Sequence, residues 1–434
     1  MSTPVTASSA DSTISHRAAG YGLFILTLVY AFNFIDRQIL VILQEPIKLE
    51  LGLSDAQLGL LSGFSFALVY ITAGIPIAYW ADRGHRRNII AAALTIWSGM
   101  TALSGLAQNY GHLLLARIGV GIGEAGGSPP AHSMISDYYP PARRGTALSI
   151  YSTGVHVGVL LGFLLGGLIS QAYGWRVAFM AVGLPGVLLA VVLVLTVREP
   201  PRGRWETAAQ AAYRPDFRQT LALLSSYRSF WYLASAGGLT AFVSYGNGNF
   251  APSFLVRNHG LEIGQVGILL AIFGGGGGML GTFLGGYLAD RMGVREKRWY
   301  LWLPAIAGAL ALPLGFPYLL LDDITLVIAS MFAVTILLNT YLGPCLAMSH
   351  TLAPPAMRAL TSAVLFFVFN MIGLGLGPLT VGLLSDFYVP YLGDQSLRYA
   401  MLTVGVLGSP AVLLFILAAR HLPADLASSV ERRP

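Results

Sequence analysis

The chain has 434 residues, 55% of them hydrophobic and only 11% charged, with a formal net charge of +6. Soluble globular chains carry about 25% charged residues, so this composition argues against a soluble enzyme. The single cysteine, Cys345, excludes an internal disulfide and a cysteine-based metal centre, and neither Lys48 nor Lys297, the only lysines, follows a glycine as a phosphate-binding P-loop requires.

In chain order, residues 1–19 form a polar tail. A membrane-crossing helix needs about 20 mostly apolar residues. Twelve such spans follow, at 20–44, 56–80, 88–107, 112–135, 144–172, 175–197, 229–256, 264–290, 298–320, 324–349, 359–387 and 396–420. The first is too long for a signal-peptide core and is expected to be retained. Residues 198–228 form the longest loop, a solvated linker with a short helix near 216–227, and 421–434 form a second tail. The fold class is therefore all-α and polytopic, with a six-helix bundle at 20–197 and another at 229–420.

Twenty basic residues fall in the tails and alternate loops on one side of the membrane. Four (Lys48, Arg176, Arg257 and Arg398) fall on the other side, and Arg37 and Arg117 lie within spans. Basic residues accumulate on the cytoplasmic side, which places both termini there. The positive charge is thus a topology signal, and no basic soluble domain exists to bind nucleic acid. No metal or catalytic constellation is present, so neither an enzyme nor a cofactor is expected.

The two halves resemble each other. Ala78-Tyr-Trp-Ala-Asp82-Arg83-Gly-His-Arg86-Arg87 follows the second span, and Gly286-Tyr-Leu-Ala-Asp290-Arg291-Met-Gly-Val-Arg295 follows the eighth. Pro140-Pro-Ala-Arg-Arg144 after the fourth span is matched by Pro354-Pro-Ala-Met-Arg358 after the tenth. Parallel six-helix repeats build transporters whose substrate site lies between the halves at mid-membrane.

The segment 286–295 resembles the loop signature of the major facilitator superfamily, and Arg117-x-x-x-Gly121-x-Gly123 resembles its fourth-helix motif. More narrowly, Asn33-Phe-Ile-Asp36-Arg37, Asp82-Arg83-Gly-His-Arg-Arg-Asn88 and Arg117-Ile-Gly-Val-Gly-Ile-Gly-Glu124-Ala look like the Spinster family. Its members are implicated in moving lysophospholipids and sphingosine-1-phosphate. The resemblance implies a monomeric transporter of a lipid-like amphiphile, in a prokaryotic setting in the inner membrane. A small organic acid, drug or sugar is the alternative cargo. A non-transporting receptor is the rival class.

Asp36, Arg37, Arg117 and Glu124 lie inside apolar spans, where an unpaired charge costs roughly 3 kcal/mol or more. In the family's fold helices 1 and 4 line the cavity, so the four, with Asn33, are expected to form one polar cluster. Asp36 and then Glu124 are the candidate proton sites, and Arg37 or Arg117 the candidate partner of an anionic headgroup. A purely structural ion-pair network is the competing reading. Further cavity candidates are Ser152, Thr153 and His156 in the fifth span, Tyr245 and Asn249 in the seventh, Asn339 in the tenth and Asn370 in the eleventh. For His156 a structural role is equally open, and for the asparagines hydrogen bonding between helices is favoured.

Gly154, Gly158, Gly162 and Gly166 form a small-residue stripe suited to close helix packing. Tyr245-Gly-Asn-Gly-Asn-Phe-Ala-Pro252 is expected to bend or unwind at the outer end of the seventh helix, as a gate or as a static kink. Asp82 and Asp290 end their helices against the dipole and call for positive partners. In the family's fold these face the opposite half, so Asp82, Arg83, Arg86, Asp290, Arg291 and Arg295 are expected to form a cytoplasmic gate.

Overall fold

A computed structural model of the chain describes residues 15–205, 217–354 and 357–431. Among the described residues the structure is helical and contains no strand. Twelve long helical segments account for the expected spans. They are α1 (His16–Leu51); α2 (Asp55–Gly59, a π-helical turn Leu60–Phe64, then Ser65–Arg83); α3 (Arg86–Ser104); and α4 (Tyr110–Glu124 and Ser128–Tyr138). Next come α5 (Pro141–Tyr173); α6 (Trp175–Thr196); α7 (Arg228–His259); and α8 (Ile263–Leu269, a π-helical turn Leu270–Gly275, then Gly276–Gly293). The last four are α9 (Trp299–Leu320); α10 (Ile324–Leu338 and Leu342–Leu352); α11 (Arg358–Val368, a π-helical turn Phe369–Leu376, then Gly377–Leu392); and α12 (Ser396–Leu407 and Pro410–Glu431). Of the linker, residues 206–216 lie outside the described residues, and the expected short helix is Phe217–Ser225.

Eight stretches are long and apolar enough to cross a membrane by length and composition, the last of them holding both α11 and α12. The three that fall short are α3, α4 and α7. These helices bury Arg86, Ser98, Arg117, Glu124, Asp137, Asn249 and Ser253, so their low apolarity is inward-facing polarity.

The internal repeat extends to capping. The first helix of each half ends on a left-handed glycine, Gly52 (φ 64°) or Gly260 (φ 64°), a conformation only glycine adopts freely. Two residues later each chain re-enters a helix through a reciprocal capping box, Ser54 with Gln57 and Glu262 with Gln265. A π-helical turn follows within each second helix.

The glycine stripe of α5 lies on α1. A Cβ at Gly158 would stand 2.4 Å from the Ala31 carbonyl oxygen, and one at Gly154 2.7 Å from that of Thr27. Gly162 and Gly166 meet Gln38 and Ile42 in the same way. At Gly154 and Gly158 the two backbones are in direct contact.

Of the bend or unwound turn expected in the seventh helix, the unwound turn is absent. α7 is continuous through Tyr245–Pro252 and does not unwind there. Its Gly246 is used for packing, because a Cβ there would meet the Gly377 carbonyl of α11 at 3.1 Å. The interruptions fall instead at 125–127 in α4, 339–341 in α10 and 408–409 in α12, and as π-turns in α2, α8 and α11.

The halves close on each other at the side away from the termini, called here the far side. One apolar core there is shared, with Leu43, Ile47 and Leu58 from the first half and Phe250, Phe254 and Leu397 from the second. Two further cores lie toward the terminal side and are drawn almost entirely from one half each. Replacing Gly158 by leucine is expected to destabilise the protein by several kcal/mol at least, above the ~1–3 kcal/mol of ordinary overpacking, because the obstacle is backbone. Thermal unfolding followed by size-exclusion chromatography measures it.

Candidate functional site

At mid-membrane α1 and α4 bring four charges together. Asp36, Arg117 and Glu124 are buried, as is Asn33. Arg37 Nε donates to Glu124 Oε2 at 2.6 Å, and the Arg37 side chain keeps 19% of its exposure while that of Glu124 has none. Arg117 Nη1 reaches the backbone oxygen of Asp36 at 3.4 Å. Ser98 Oγ of α3 donates to Asp36 Oδ2 at 3.2 Å. Asp36 Oδ1, Glu124 Oε1 and Arg117 Nε find no hydrogen-bond partner among the described residues.

Aromatic rings wrap the two arginines. The Arg37 guanidinium lies 5.0, 4.9 and 5.4 Å from the ring centres of Phe34, Phe66 and Tyr70, and that of Arg117 lies 5.3 Å from Phe66. These are cation–π distances, strongest where water is excluded. Tyr70 and Tyr245 are near enough to Arg37 to interact with it electrostatically, so the second half faces the cluster through α7. The site is therefore an ion pair with one partly accessible cation, backed by a fully buried carboxylate with a free oxygen. Such a site can exchange an internal ion pair for an external ion, and can take up a proton.

The α4 interruption begins one residue after Glu124. Gly126 and Gly127 make tight-turn bonds back to Gly123 and Glu124, and Gly123 packs 2.7 Å from the Trp97 backbone nitrogen as measured to its would-be Cβ. Glu124 thus ends a helix and is pressed against α3.

The other candidates scatter. Ser152 and Thr153 are exposed and bond back to their own helix; His156 is half-buried beside them. Tyr245 is 37% exposed, and its carbonyl receives the Asn249 amide at 2.8 Å. Asn339 bonds to the Thr335 carbonyl at 2.8 Å at the α10 break and packs on Gly281 of α8. Asn370 lies half-buried in the α11 π-turn.

The residues expected at the cytoplasmic gate make their contacts within their own halves. The Asp82 side chain lies outside the described residues. Arg83 stacks on Tyr79 of its own helix at 3.7 Å, Arg291 bonds Tyr287 at 3.1 Å, Arg295 is exposed, and Asp290 accepts from the Tyr300 hydroxyl at 2.7 Å. Arg86 is buried and binds Glu199 at 3.0 Å, Ser133 at 2.9 Å, the Pro200 carbonyl at 2.7 Å, and Asp137. It ties the linker's first residues to α4.

Burial opposes ionisation of Glu199, yet the backbone N–H of Arg87 and the side chain and N–H of Arg86 hold its carboxyl below the usual glutamate range. Its contribution is therefore complete above the unfolded glutamate pKa of about 4.3 and is lost as pH falls through its lower folded value. Glu199→Gln is expected to lower the melting temperature at pH 7, and the gap to wild type to close in acid.

A second charged site was missed in the sequence. Arg257 of α7 grips both oxygens of Asp55 at 2.8 Å and Glu45 at 2.7 Å. Lys48 adds a 2.6 Å bond to Asp55, and Ser385 of α11 donates to it at 2.7 Å. Asp386 accepts the N–H groups of Asp55 and Ala56 at 3.0 and 2.8 Å, capping α2 from the other half. The available signal was scarcity: only four basic residues face the far side, and two of them meet here.

Residues 26–378 and 233–433 match the Major Facilitator Superfamily. An MFS-type efflux pump of Mycolicibacterium smegmatis is 35% identical over 98% of this chain and 99% of its own length. A probable galactarate/D-glucarate transporter of Bacillus subtilis is 27% identical over 66% of this chain and 69% of its own. Among solved structures, a bacterial homolog of the human lysosomal transporter Spinster, inward-facing and unoccupied, superposes with a TM-score of 0.88 at 34% identity, covering 95% of this chain and 99% of that one.

Proposed function

Since the chain belongs to the major facilitator superfamily, in its Spinster branch, and is a multi-pass membrane transporter, not an enzyme, we propose that it carries a single-chain amphiphile, a lysophospholipid or its close relative, in exchange for or together with protons. The two halves rock about the central cluster to give alternating access. Both termini are cytoplasmic, the membrane is the bacterial inner membrane, and the working unit is one chain.

The observation that carries this reading is the Arg37–Glu124 pair with Asp36 behind it. Arg37 is the cation that retains exposure, so an anionic headgroup meets it first. Guanidinium matches phosphate in shape and charge. When Arg37 turns to the headgroup, Glu124, whose side chain is fully buried, loses its 2.6 Å partner. A carboxylate left so is neutralised by a proton. Asp36, fully buried and bonded only through Oδ2, is the second proton site. The rings of Phe34, Phe66 and Tyr70 beside Arg37 supply apolar surface for the chain next to the headgroup. The gate function of Asp82, Arg83, Arg86, Asp290, Arg291 and Arg295 belongs to the opposite, outward-facing state.

A second reading keeps the machine and changes the cargo to a small organic acid, favoured by the sugar-acid name of the Bacillus subtilis relative. Both cargoes present an anion to Arg37. Liposomes carrying the protein under an imposed pH gradient separate them. Labelled lysophospholipid is expected to move faster with the gradient than without it, and Asp36→Asn to abolish that stimulation. Movement of glucarate but not of lysophospholipid would select the second reading.

A further inference from the structure

Helix α1 carries two charged sites, not one. Arg37, Val41, Gln44 and Lys48 follow at spacings of four, three and four, and so share one helical face. Arg37 at the lower end belongs to the central cluster, and Lys48 at the upper end to the Asp55 site. At 1.5 Å per residue the two are about 16 Å apart along the axis. Gln44 lies between them, with no exposed surface, and neither its oxygen nor its nitrogen finds a protein partner among the described residues.

We propose that the Glu45–Lys48–Asp55–Arg257–Asp386 site is the latch that holds the far side shut, and that α1 is the lever connecting it to the central cluster. It is built for this. The acids Glu45 and Asp55 come from the first half and the bidentate cation Arg257 from the second. Asp386 of the second half holds the start of α2 by its backbone, so α2 and α11 cannot part without giving up those bonds as well. Buried pairs of this kind are costly to break by removing one partner, and cheap to break by water when both partners are hydrated together. Rocking of the halves hydrates them together.

Gln44 acts in the opposite sense. Its unpaired amide is a standing cost of the closed far side, relieved when water enters beneath the latch. Latch and amide together keep the closed and open states close in free energy, as a carrier requires. The proposal rests on alternating access alone and not on the cargo.

Spin labels at Tyr173→Cys and Tyr391→Cys, exposed positions at the far-side ends of α5 and α11, report the opening by pulsed electron resonance in nanodiscs, with Cys345 buried and shielded from label. No substrate is added, so failure of the lipid reading leaves the result intact. Arg257→Gln is expected to raise the far-side-open population about tenfold, with Arg257→Lys restoring most of the closed state. Gln44→Leu is expected to deplete the open population. An unchanged distance distribution in Arg257→Gln overturns the latch. A shift toward opening, or no shift, in Gln44→Leu overturns the balance; should Arg257→Gln not fold, Asp386→Ala, which removes the same latch's hold on the start of α2, is expected to raise the open population, and an unchanged distribution there overturns the latch.

Discussion

An ion in hydrocarbon must find a counter-ion or lose its charge. The arrangement of this protein follows from how Asp36, Arg37, Arg117 and Glu124 meet that demand. Arg37 and Glu124 pair directly across α1 and α4, while Arg117 reaches only the Asp36 backbone oxygen. The cluster is thus compensated in total charge but incomplete in hydrogen bonds, with free valences on both carboxylates. A fully satisfied network would serve as a rivet. This one keeps unfilled hydrogen-bonding capacity on both carboxylates and on Arg117. It holds its position because α1 packs closely on α5 along four glycines and Gly123, the neighbour of Glu124, packs on the Trp97 backbone of α3.

Two kinds of contact divide the labour. Within the first half, buried polar ties such as Arg86 with Glu199 and Asp137 join the start of α3, the end of α4 and the first residues of the linker. Between the halves, the far side carries the Asp55–Arg257 site and a shared apolar core. On the terminal side Arg83 and Arg291 are instead turned toward their own helices, and Asp290 and Arg86 toward neighbours in their own halves.

Much of this was legible in the chain. Span number, side-to-side charge bias and the repeat depend on composition over tens of residues, and averaging makes them robust. The central charges were legible because a charge among twenty apolar residues stands out. The Ser98 hydroxyl, the aromatic rings around Arg37 and the clasp at Asp55 were not, because serines, phenylalanines and loop acids are common and only the fold selects among them. The unwound turn expected in α7 failed for a related reason. Glycine permits both unwinding and close packing, and the nearness of Gly377 on α11, which decides between them, is a tertiary fact. The same ambiguity hid the π-turns of α2, α8 and α11.

Glycine also forms the seam between the halves. A Cβ at Gly59 would stand 2.3 Å from the Pro378 carbonyl, one at Gly382 2.2 Å from that of Asp55, and Gly167 of α5 meets Gly267 of α8 at 2.9 Å. At these points the halves touch backbone to backbone. This makes these glycines natural points of evolutionary tuning. A methyl group added at Gly59 or Gly382 is a wedge between bodies that are each already folded, so it shifts the resting conformation before it threatens the fold. Selection can thereby adjust how long a relative of this protein waits on each side of the membrane without altering the charges at its centre.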